Sequence, residues 1–410
     1  MQQRRVLLLD ASCAIAGSHN PRACRLFARA FEARGFAARY MIPRHGEAAF
    51  PGEEAAVERV LPYPYARRYG LAAGAPQHPL DPRLHAIVER HRGERRQHLA
   101  NLVRLPRADR QIAALFAGAL APELDRLGLA QRDVIVLPTA DLYASGGLLS
   151  WLQRRPPAEA PAVLLRFLNI LESEGLYRPY ERLKALLRRI AVLQGRGYRI
   201  VIATEVEPWA ARLQRRAGVP VLLLPTPPDR ATPGPRGARP LGVSLVSLRR
   251  AEQGARRLVP ILQALPDDVR GRLRFVGQAP RLGTGDLLVP EGVQVVADDL
   301  SELELAATLA GLDITLLPYR AEDYRTRGSS MLFEAANHGH VVLASAGCGF
   351  SAEVERFELG SLCSSDADFA AALTTLARES NSLAGSEAAA ARYNDYRRTC
   401  FDRALQALGG

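Results

Sequence analysis

Short apolar runs alternate with longer amphipathic segments along the first half of the chain. The apolar runs have the length of buried strands, and they lie at Arg5–Asp10, Phe36–Ile42, Asp133–Pro138, Ala162–Leu168, Arg199–Thr204 and Val219–Pro225. Between the first two, Pro21–Gly35 begins with proline and stops at glycine, which is typical of a helix. Since apolar strands separated by helices indicate a parallel sheet covered on both faces, the pattern predicts a doubly wound, Rossmann-like α/β domain.

A segment rich in proline, glycine and arginine interrupts this alternation at Pro225–Pro240. Such a composition continues neither a strand nor a helix, so it predicts a linker between two domains. A second alternating series starts at Leu241, and one long amphipathic helix closes the chain. We therefore expect one domain over 1–228 and a second over 241–385, with the C-terminal helix, 386–410, returning to the first domain.

The charge of the chain suits an anionic partner without identifying it. The formal net charge is +11, and Lys184 is the single lysine, so nearly all positive charge is arginine. Arginine makes forked contacts to phosphate, although a GC-rich genome also produces such a bias. A nucleotide, a nucleic acid or an acidic membrane would fit. Because the charge is spread and no aromatic residues alternate with basic ones, nucleic-acid binding rests on charge alone and is not expected.

Cysteine usage and hydropathy favour a cytoplasmic protein. The cysteines are odd in number, lack any C-x-x-C spacing and stand at Cys13, Cys24, Cys348, Cys363 and Cys400. Neither a disulfide framework nor a structural zinc site is therefore predicted. Asp10 interrupts the N-terminal apolar stretch, which argues against a signal peptide. No apolar run approaches the roughly 18 residues needed to span a bilayer.

The stretch Tyr324–Gly349 carries the most specific chemistry in the sequence. A predicted strand leads to Arg325 and Arg327, and a helix is expected to begin near Ser329 or Ser330. The N-terminus of a helix and nearby arginines bind phosphate readily. Glu334 follows one turn later, where a carboxylate accepts hydrogen bonds from paired sugar hydroxyls. The alternative is a surface helix with an ordinary serine cap and a solvated Glu334.

The order of motifs around this helix resembles the group 1 glycosyltransferases, which have the GT-B fold. Those enzymes have a strand ending in proline, a loop, a helix with Glu-Ala, a glycine, an apolar strand and a glycine turn. The corresponding segments here are Leu316–Tyr319, Glu334–Gly339, His340–Ser345 and Ala346–Gly349. The resemblance implies two Rossmann-like domains facing a cleft. It also implies that Glu334 binds the ribose of a nucleotide-sugar donor in the second domain.

The resemblance extends to a bacterial branch of the family and includes two departures. The loop of that branch reads Tyr, two Arg and Ser, here Tyr324, Arg325, Arg327 and Ser329. The first of the two glutamates usual in the family would fall on Thr326.

A second loop matches the family arginine and lysine that hold the donor diphosphate. Arg249 or Arg250 takes the arginine position, while Gln253 stands where the lysine is usual. The resemblance therefore assigns donor contacts to both loops, with Arg249 and Arg327 as the residues that act on the departing diphosphate.

The beginning of the chain resembles the first loop and helix of the N-terminal domain in the same family. Gly17 would allow the backbone to approach a phosphate or an acceptor. His19 is a candidate catalytic residue that would contact donor or acceptor, although a solvated loop histidine is an alternative. The resemblance implies a hexosyltransferase-like, metal-independent transfer with retention, without a cofactor. The sequence leaves the acceptor open among a polysaccharide or other carbohydrate, a lipid-linked molecule and a small molecule.

Three other hypotheses remain open from the sequence. A nucleotide-sugar epimerase would need an acid/base pair, and none is evident. A non-catalytic GT-B protein that binds a nucleotide sugar is compatible with Thr326 and Gln253. The basic region Glu89–Arg110 also contains leucines in the manner of interfacial helices, so peripheral contact with the inner face of a membrane is a further hypothesis, against a solvated basic helix as its alternative.

Overall fold

The structure is a computed structural model, and it describes the chain in twelve segments. These are residues 3–13, 19–45, 50–62, 83, 98–168, 179–229, 240–246, 248, 251–278, 291–297, 300–379 and 383–409. They form two compact units. The first unit contains Met1–Glu205, Ala210–Leu224 and Phe401–Gly410, and the second contains Val206–Trp209 and Pro225–Cys400.

The first unit is built on a seven-stranded parallel sheet with the order β3-β2-β1-β4-β5-β6-β7. Its strands are β1 Arg4–Leu9, β2 Phe36–Pro43, β3 Val57–Leu61, β4 Val134–Leu137, β5 Ala162–Arg166, β6 Ile200–Thr204 and β7 Val221–Leu223. The helices along this part of the chain are α1 His19–Glu32, α2 His98–Leu127, α3 Leu142–Leu152, α4 Pro179–Gly195 and α5 Glu207–Ala217. The strand order reverses between β1 and β4, which makes this edge the topological switch point of the sheet.

The second unit is built on a six-stranded sheet with the order β10-β9-β8-β11-β12-β13, again with every pair parallel. Its strands are β8 Leu241–Leu245, β9 Leu273–Gln278, β10 Val293–Val296, β11 Ile314–Leu317, β12 Val341–Ser345 and β13 Gly360–Cys363. Its helices are α6 Leu258–Gln263, α7 Asp267–Arg270, α8 Glu302–Ala310, α9 Ala321–Tyr324, α10 Ser330–His338, α11 Ser351–Arg356 and α12 Asp366–Arg378. Here the switch point lies between β8 and β11.

These two sheets confirm the predicted fold class, because each is parallel and interleaved with helices. The central strands β1, β4, β5, β8, β11 and β12 are buried over nearly their whole length, which is why they read as continuous apolar runs. The helix predicted at Pro21–Gly35 is confirmed as α1. It begins at His19, two residues before Pro21, and the chain leaves it through Gly35 in a left-handed conformation with φ of 82°.

The final helix, α13, covers Ser386–Ala407, and its two ends lie in different units. In the first unit, the ring of Phe401 packs edge-on against Phe31 at 4.9 Å between ring centroids. In the second unit, the fully buried Arg397 donates from Nε to the carbonyl oxygen of Thr226 at 2.8 Å. The linker expected at Pro225–Pro240 is described over 225–229 and at 240, and the rest of it lies outside the described residues.

The basic region Glu89–Arg110 falls partly within α2, a helix of 30 residues. Residues 89–97 lie outside the described residues, and the side chains of 98–106 are also not described. Peripheral membrane contact by this region therefore stays a prediction. Within the described ranges of the chain, no helix is both long enough and apolar enough to cross a bilayer.

Candidate functional site

The carboxyl end of β11 leads into the loop that the sequence singled out. Helix α9 follows this strand, and residues 325–329 connect it to α10. Ser329 has an extended backbone, and its Oγ accepts a hydrogen bond from the N–H of Leu332 at 3.4 Å. The predicted serine cap is thereby confirmed at Ser329, and the exposed Ser330 is the first helical residue. The N-terminus of α10, with its partial positive charge, therefore lies at the carboxyl edge of the second sheet.

The glycine turn after β12 packs directly against this loop. The N–H of Gly349 donates to the carbonyl oxygen of Tyr324 at 2.7 Å. A Cβ atom on Gly349 would lie 2.9 Å from the carbonyl oxygen of Arg327 and 3.1 Å from that of Arg325. A side chain does not fit into this gap, so glycine is required by close approach of two main chains. The sequence separates these segments by more than twenty residues, and the fold holds them in contact.

The two loop arginines differ in their surroundings. Arg325 is exposed, whereas Arg327 is half-buried. The guanidinium carbon of Arg327 lies 4.9 Å from the centroid of the Tyr324 ring, within the range of a cation–π contact. Tyr324 is buried, and its ring packs 4.5 Å from that of Tyr319. Tyr324 thus supports Arg327 from within the protein, which restricts the positions that this positive charge adopts.

Glu334 is buried on α10 with only 6% of its surface exposed, which overturns the alternative of a solvated helix residue. The side-chain amide of Asn337 donates to Oε2 of Glu334 at 3.4 Å. The other end of that amide, Oδ1 of Asn337, accepts from Nη1 of Arg397 at 2.9 Å. Burying a carboxylate costs free energy that polar partners or a bound ligand must offset. This chain of contacts ties Glu334 to the buried arginine of α13.

The loop after β8 contacts the loop after β11 through main-chain atoms. The N–H of Arg320 donates to the carbonyl oxygen of Glu252 at 3.0 Å. Gly254 has φ of 83°, and a Cβ atom there would lie 2.1 Å from the carbonyl oxygen of Pro318. Gln253 is half-buried beside this contact. The structure thus brings the Gln253 loop and the Arg325–Arg327 loop to the carboxyl ends of two adjacent strands.

Arg257 is a cationic residue at the same edge that sequence reasoning missed. Its Nη1 donates to Oγ of Ser345 at 2.8 Å and to the carbonyl oxygen of Pro318 at 3.2 Å. Its Nε donates to Asp366 at 2.6 Å, so the side chain joins the ends of β11 and β12 to the start of α12. The signal in the sequence was weak, because Arg257 is one of several arginines in a short stretch without a motif of its own.

The remaining predicted residues either lie outside the described residues or belong to the first unit. Arg249 and Arg250 lie outside the described residues, as does Gly17. His19 is described, and it is the exposed first residue of α1 in the first unit. The residues that the structure brings together at one edge are therefore Gln253, Tyr324, Arg325, Arg327, Ser329, Ser330 and Glu334.

Known proteins resemble this chain in three-dimensional structure and not in sequence. No protein-family model and no curated protein sequence matches the chain. Trehalose-6-phosphate synthase from E. coli bound with UDP-2-fluoro glucose is similar with a TM-score of 0.62 and 12% identity, and the match covers 98% of each chain. Sucrose-phosphate synthase from Thermosynechococcus elongatus has a TM-score of 0.61 and 14% identity, covering 98% of this chain and 97% of that one.

HepE from Anabaena, in complex with UDP and glucose, is similar over 99% of both chains with a TM-score of 0.59 and 13% identity. These structural neighbours are GT-B glycosyltransferases. The chain has the GT-B fold. At these identities the likeness establishes the architecture of both units, and the chemistry has to be argued from the residues themselves.

The second GT-B domain presents an arrangement suited to a phosphorylated, hydroxyl-bearing ligand. Positive charge comes from Arg325 and Arg327 together with the N-terminus of α10, and a buried carboxylate follows at Glu334. Helix N–H groups and guanidinium groups are donors for phosphate, whereas a carboxylate only accepts. The site therefore separates donors for an anion from an acceptor for hydroxyls along a single helix.

Proposed function

We propose that the protein is a glycosyltransferase that moves a sugar from a nucleotide-diphosphate sugar to a hydroxyl acceptor. The observation that carries the proposal is the buried carboxylate of Glu334 on the helix whose N-terminus follows the arginine loop. In a nucleotide the ribose lies next to the diphosphate. The ribose hydroxyls need a hydrogen-bond acceptor such as a carboxylate, and the diphosphate oxygens need hydrogen-bond donors. The full-length GT-B fold supports the proposal, since such neighbours have been crystallised with UDP and with UDP sugars.

In the proposed complex, Glu334 accepts hydrogen bonds from the ribose hydroxyls. Asn337 holds the carboxylate through its amide, so that the carboxylate is oriented before the donor arrives. Preorientation lowers the conformational entropy that donor binding would otherwise cost. Ser329 and Ser330 place the N-terminus of α10 against the diphosphate, and Arg325 contributes charge from the solvent side.

Transfer is proposed to depend on stabilisation of the departing diphosphate. Negative charge grows on the leaving oxygen as the bond to the anomeric carbon breaks, and fixed positive charge lowers that barrier most when it is oriented in advance. Arg327, held over the ring of Tyr324, is suited to this role, and Arg249 is its proposed counterpart from the β8 loop. The transfer is proposed to proceed with retention and without a metal ion on the donor.

The acceptor is proposed to be a carbohydrate or a lipid-linked molecule that reaches the first domain. Gly17 and His19 are its proposed contacts there. Peripheral association with the inner face of a membrane, through the basic region Glu89–Arg110, would suit a lipid-linked acceptor. Anionic liposomes at low ionic strength provide the direct measurement, because electrostatic attachment of this kind weakens with salt.

A nucleotide-binding measurement tests the proposal. Purified protein is titrated calorimetrically with UDP, GDP and ADP. The nucleotide that binds is then titrated into the Glu334→Gln variant. We expect a loss of roughly ten- to a hundred-fold in affinity, since a charge-assisted hydrogen bond contributes about 1.5–3 kcal/mol. The matched control is Glu353→Gln, because Glu353 is equally buried, at 7% exposed, on a neighbouring helix of the same domain. Equal affinity of wild type and Glu334→Gln for every nucleotide would remove Glu334 from the site.

A non-catalytic nucleotide-sugar-binding protein is the second candidate. It is favoured by Gln253, a neutral residue beside the contact between the β8 and β11 loops, at the position where the family has a lysine. The two candidates differ in turnover. Hydrolysis or transfer of a radiolabelled sugar, measured for the donor that binds, supports the enzyme, while tight binding without any release of nucleotide diphosphate supports the binding protein.

A further inference from the structure

A cluster of two thiols and a carboxylate lies at the carboxyl end of β1 in the first domain. Asp10 follows this strand directly, and a tight turn brings Cys13 back beside it through a hydrogen bond from the N–H of Cys13 to the carbonyl oxygen of Asp10 at 3.3 Å. Cys24 reaches the same place from α1. All three residues are completely or almost completely buried. This cluster lies at the switch point of the first sheet, between β1 and β4.

The spacing of the three side chains is close to that of a metal site. Sγ of Cys13 and Sγ of Cys24 are 3.3 Å apart, and Sγ of Cys24 is 3.7 Å from Oδ2 of Asp10. All three ligand atoms lie within 4.8 Å of one another. In a tetrahedral zinc site, bonds of about 2.3 Å to sulfur and about 2.0–2.2 Å to oxygen place neighbouring ligand atoms roughly 3.5–3.8 Å apart. Small side-chain shifts would therefore bring all three atoms to bonding distance of one cation.

Burial of two thiols and a carboxyl group disfavours their ionised forms unless a cation neutralises them. A divalent ion bound by two thiolates and one carboxylate would carry a net charge of −1. The buried Arg25, whose positive charge acts on both thiols, would balance that charge. Neutrality of the whole group favours its burial.

We propose that Asp10, Cys13 and Cys24 bind a divalent, thiol-preferring cation such as Zn²⁺. Asn20 is the proposed fourth ligand, because it stands one helical turn before Cys24 on α1 and donates from Nδ2 to the carbonyl oxygen of Ser12 at 3.1 Å. Its Oδ1 atom is buried and has no hydrogen-bond partner in the described structure. An amide oxygen without a partner is available to a cation, which would remove the cost of its burial.

The bound ion would cross-link the end of β1 to α1. The stretch from Cys13 to Cys24 carries Gly17 and His19, which are the proposed acceptor contacts of this domain. The cation would act on stability and on the position of this connection, and it takes no part in the proposed transfer step. Sequence spacing does not indicate such a site, because the two cysteines are eleven residues apart and the third ligand is a carboxylate.

Titration of the full chain with Co²⁺ tests the proposal. The protein is kept reduced with a phosphine, treated with a chelator, and titrated with Co²⁺, whose bonds to thiolates give a charge-transfer absorption band. We expect this absorption band to grow until one equivalent of Co²⁺ has bound. Added Zn²⁺ should then displace the Co²⁺ and remove the band. Zn²⁺ should also raise Tm, because a ligand that binds the folded state stabilises it by mass action.

Variants assign the band to the cluster. Cys13→Ser and Cys24→Ser should each weaken the band and remove the Tm shift, whereas Cys400→Ser should leave both unchanged, since Cys400 is an equally buried thiol on α13. If the serine variants do not fold, the wild-type titration alone decides. Absence of the band and of the Tm shift in reduced wild type overturns the proposal. A Cys13–Cys24 disulfide in the air-oxidised protein, combined with no metal uptake after reduction, would identify a redox pair instead.

Discussion

The N–H of Gly349 donates to the carbonyl oxygen of Tyr324 at 2.7 Å, and this hydrogen bond fixes the glycine turn after β12 against the arginine loop. The contact is between main chains, so its geometry depends on the absence of a side chain at position 349. The glycine turn therefore limits the positions that the arginine loop can adopt.

Gly349→Ala is expected to displace the arginine loop. The new methyl group would lie 2.9 Å from a main-chain oxygen, a distance that requires the loop to shift, and overpacking of this kind costs about 1–3 kcal/mol. Affinity for the nucleotide diphosphate should fall with only a moderate loss of Tm, as measured by calorimetry and thermal unfolding. Gly271→Ala is the control, because its added methyl group would meet nothing within 4 Å. Unchanged nucleotide affinity in Gly349→Ala would separate this loop from binding.

Arg327→Ala is expected to reduce turnover more than donor binding. The positive charge held over Tyr324 is proposed to stabilise the departing diphosphate, so its loss should lower kcat by roughly ten- to a hundred-fold, corresponding to about 1.5–3 kcal/mol. Steady-state rates with a donor and an acceptor provide the measurement. Arg356→Ala is the matched control, since Arg356 also lies over an aromatic ring, that of Phe357, at 5.2 Å. A rise in KM with kcat unaltered would assign Arg327 to an interaction made equally in the ground state and the transition state.

Gln253→Lys is expected to strengthen donor binding. The substitution adds positive charge next to the contact between the β8 and β11 loops, where a partly exposed ion pair contributes about 0.5–1 kcal/mol and hence roughly a two- to fivefold gain in affinity. The gain should shrink with added salt. Gln263→Lys adds the same charge at an exposed position on α6 and serves as the control. Equal affinity of both variants would show that position 253 does not face the diphosphate.

Asp141→Asn is expected to stabilise the protein increasingly as pH rises. Asp141 caps α3 through Oδ1, which accepts from the N–H groups of Tyr143 and Ala144, and burial raises its pKa to about 6. Because the folded pKa lies above the value of 3.8 for an ordinary Asp, the protonated form favours folding. That stability is present below about pH 4 and is lost as pH rises through 6, by about 3 kcal/mol.

Thermal unfolding of Asp141→Asn and wild type between pH 5 and pH 8 measures this effect. Asparagine keeps the cap and carries no charge, so the difference in Tm should grow with pH. Asp125→Asn should instead show a difference in Tm that does not change over this pH range, because Asp125 is ionised in both the folded and the unfolded protein above pH 5. The hydrogen bond from Trp151 and the contact with Arg155 lower the pKa of Asp125, so that its ionised form favours folding. A pH-independent difference for Asp141→Asn would contradict the raised pKa.

The sequence predicted the central strands of both sheets because parallel strands buried on both faces must be continuously apolar. It missed the edge strands β3 and β13, which are mostly not buried and therefore lack an apolar run. The runs at Arg5–Asp10 and Ala162–Leu168 contain β1 and β5, and the motif after β11 contains α10 with its serine cap. These are local properties, encoded by neighbouring residues. Where local signals conflict, prediction failed. Helix α2 contains Pro106 and Pro122, and proline disfavours a helix interior, so the sequence did not indicate this 30-residue helix.

Tertiary structure alone decided the surroundings of the residues that carry chemistry. Glu334 has the same helical position whether it is solvated or buried, and the packing of α10, with Asn337 and Arg397 beside it, determined that it is buried. Similarly, nothing local places Cys13 against Cys24. The physical reason is that hydrophobic periodicity specifies which face of an element is covered, whereas distances between side chains on different elements depend on how those elements pack.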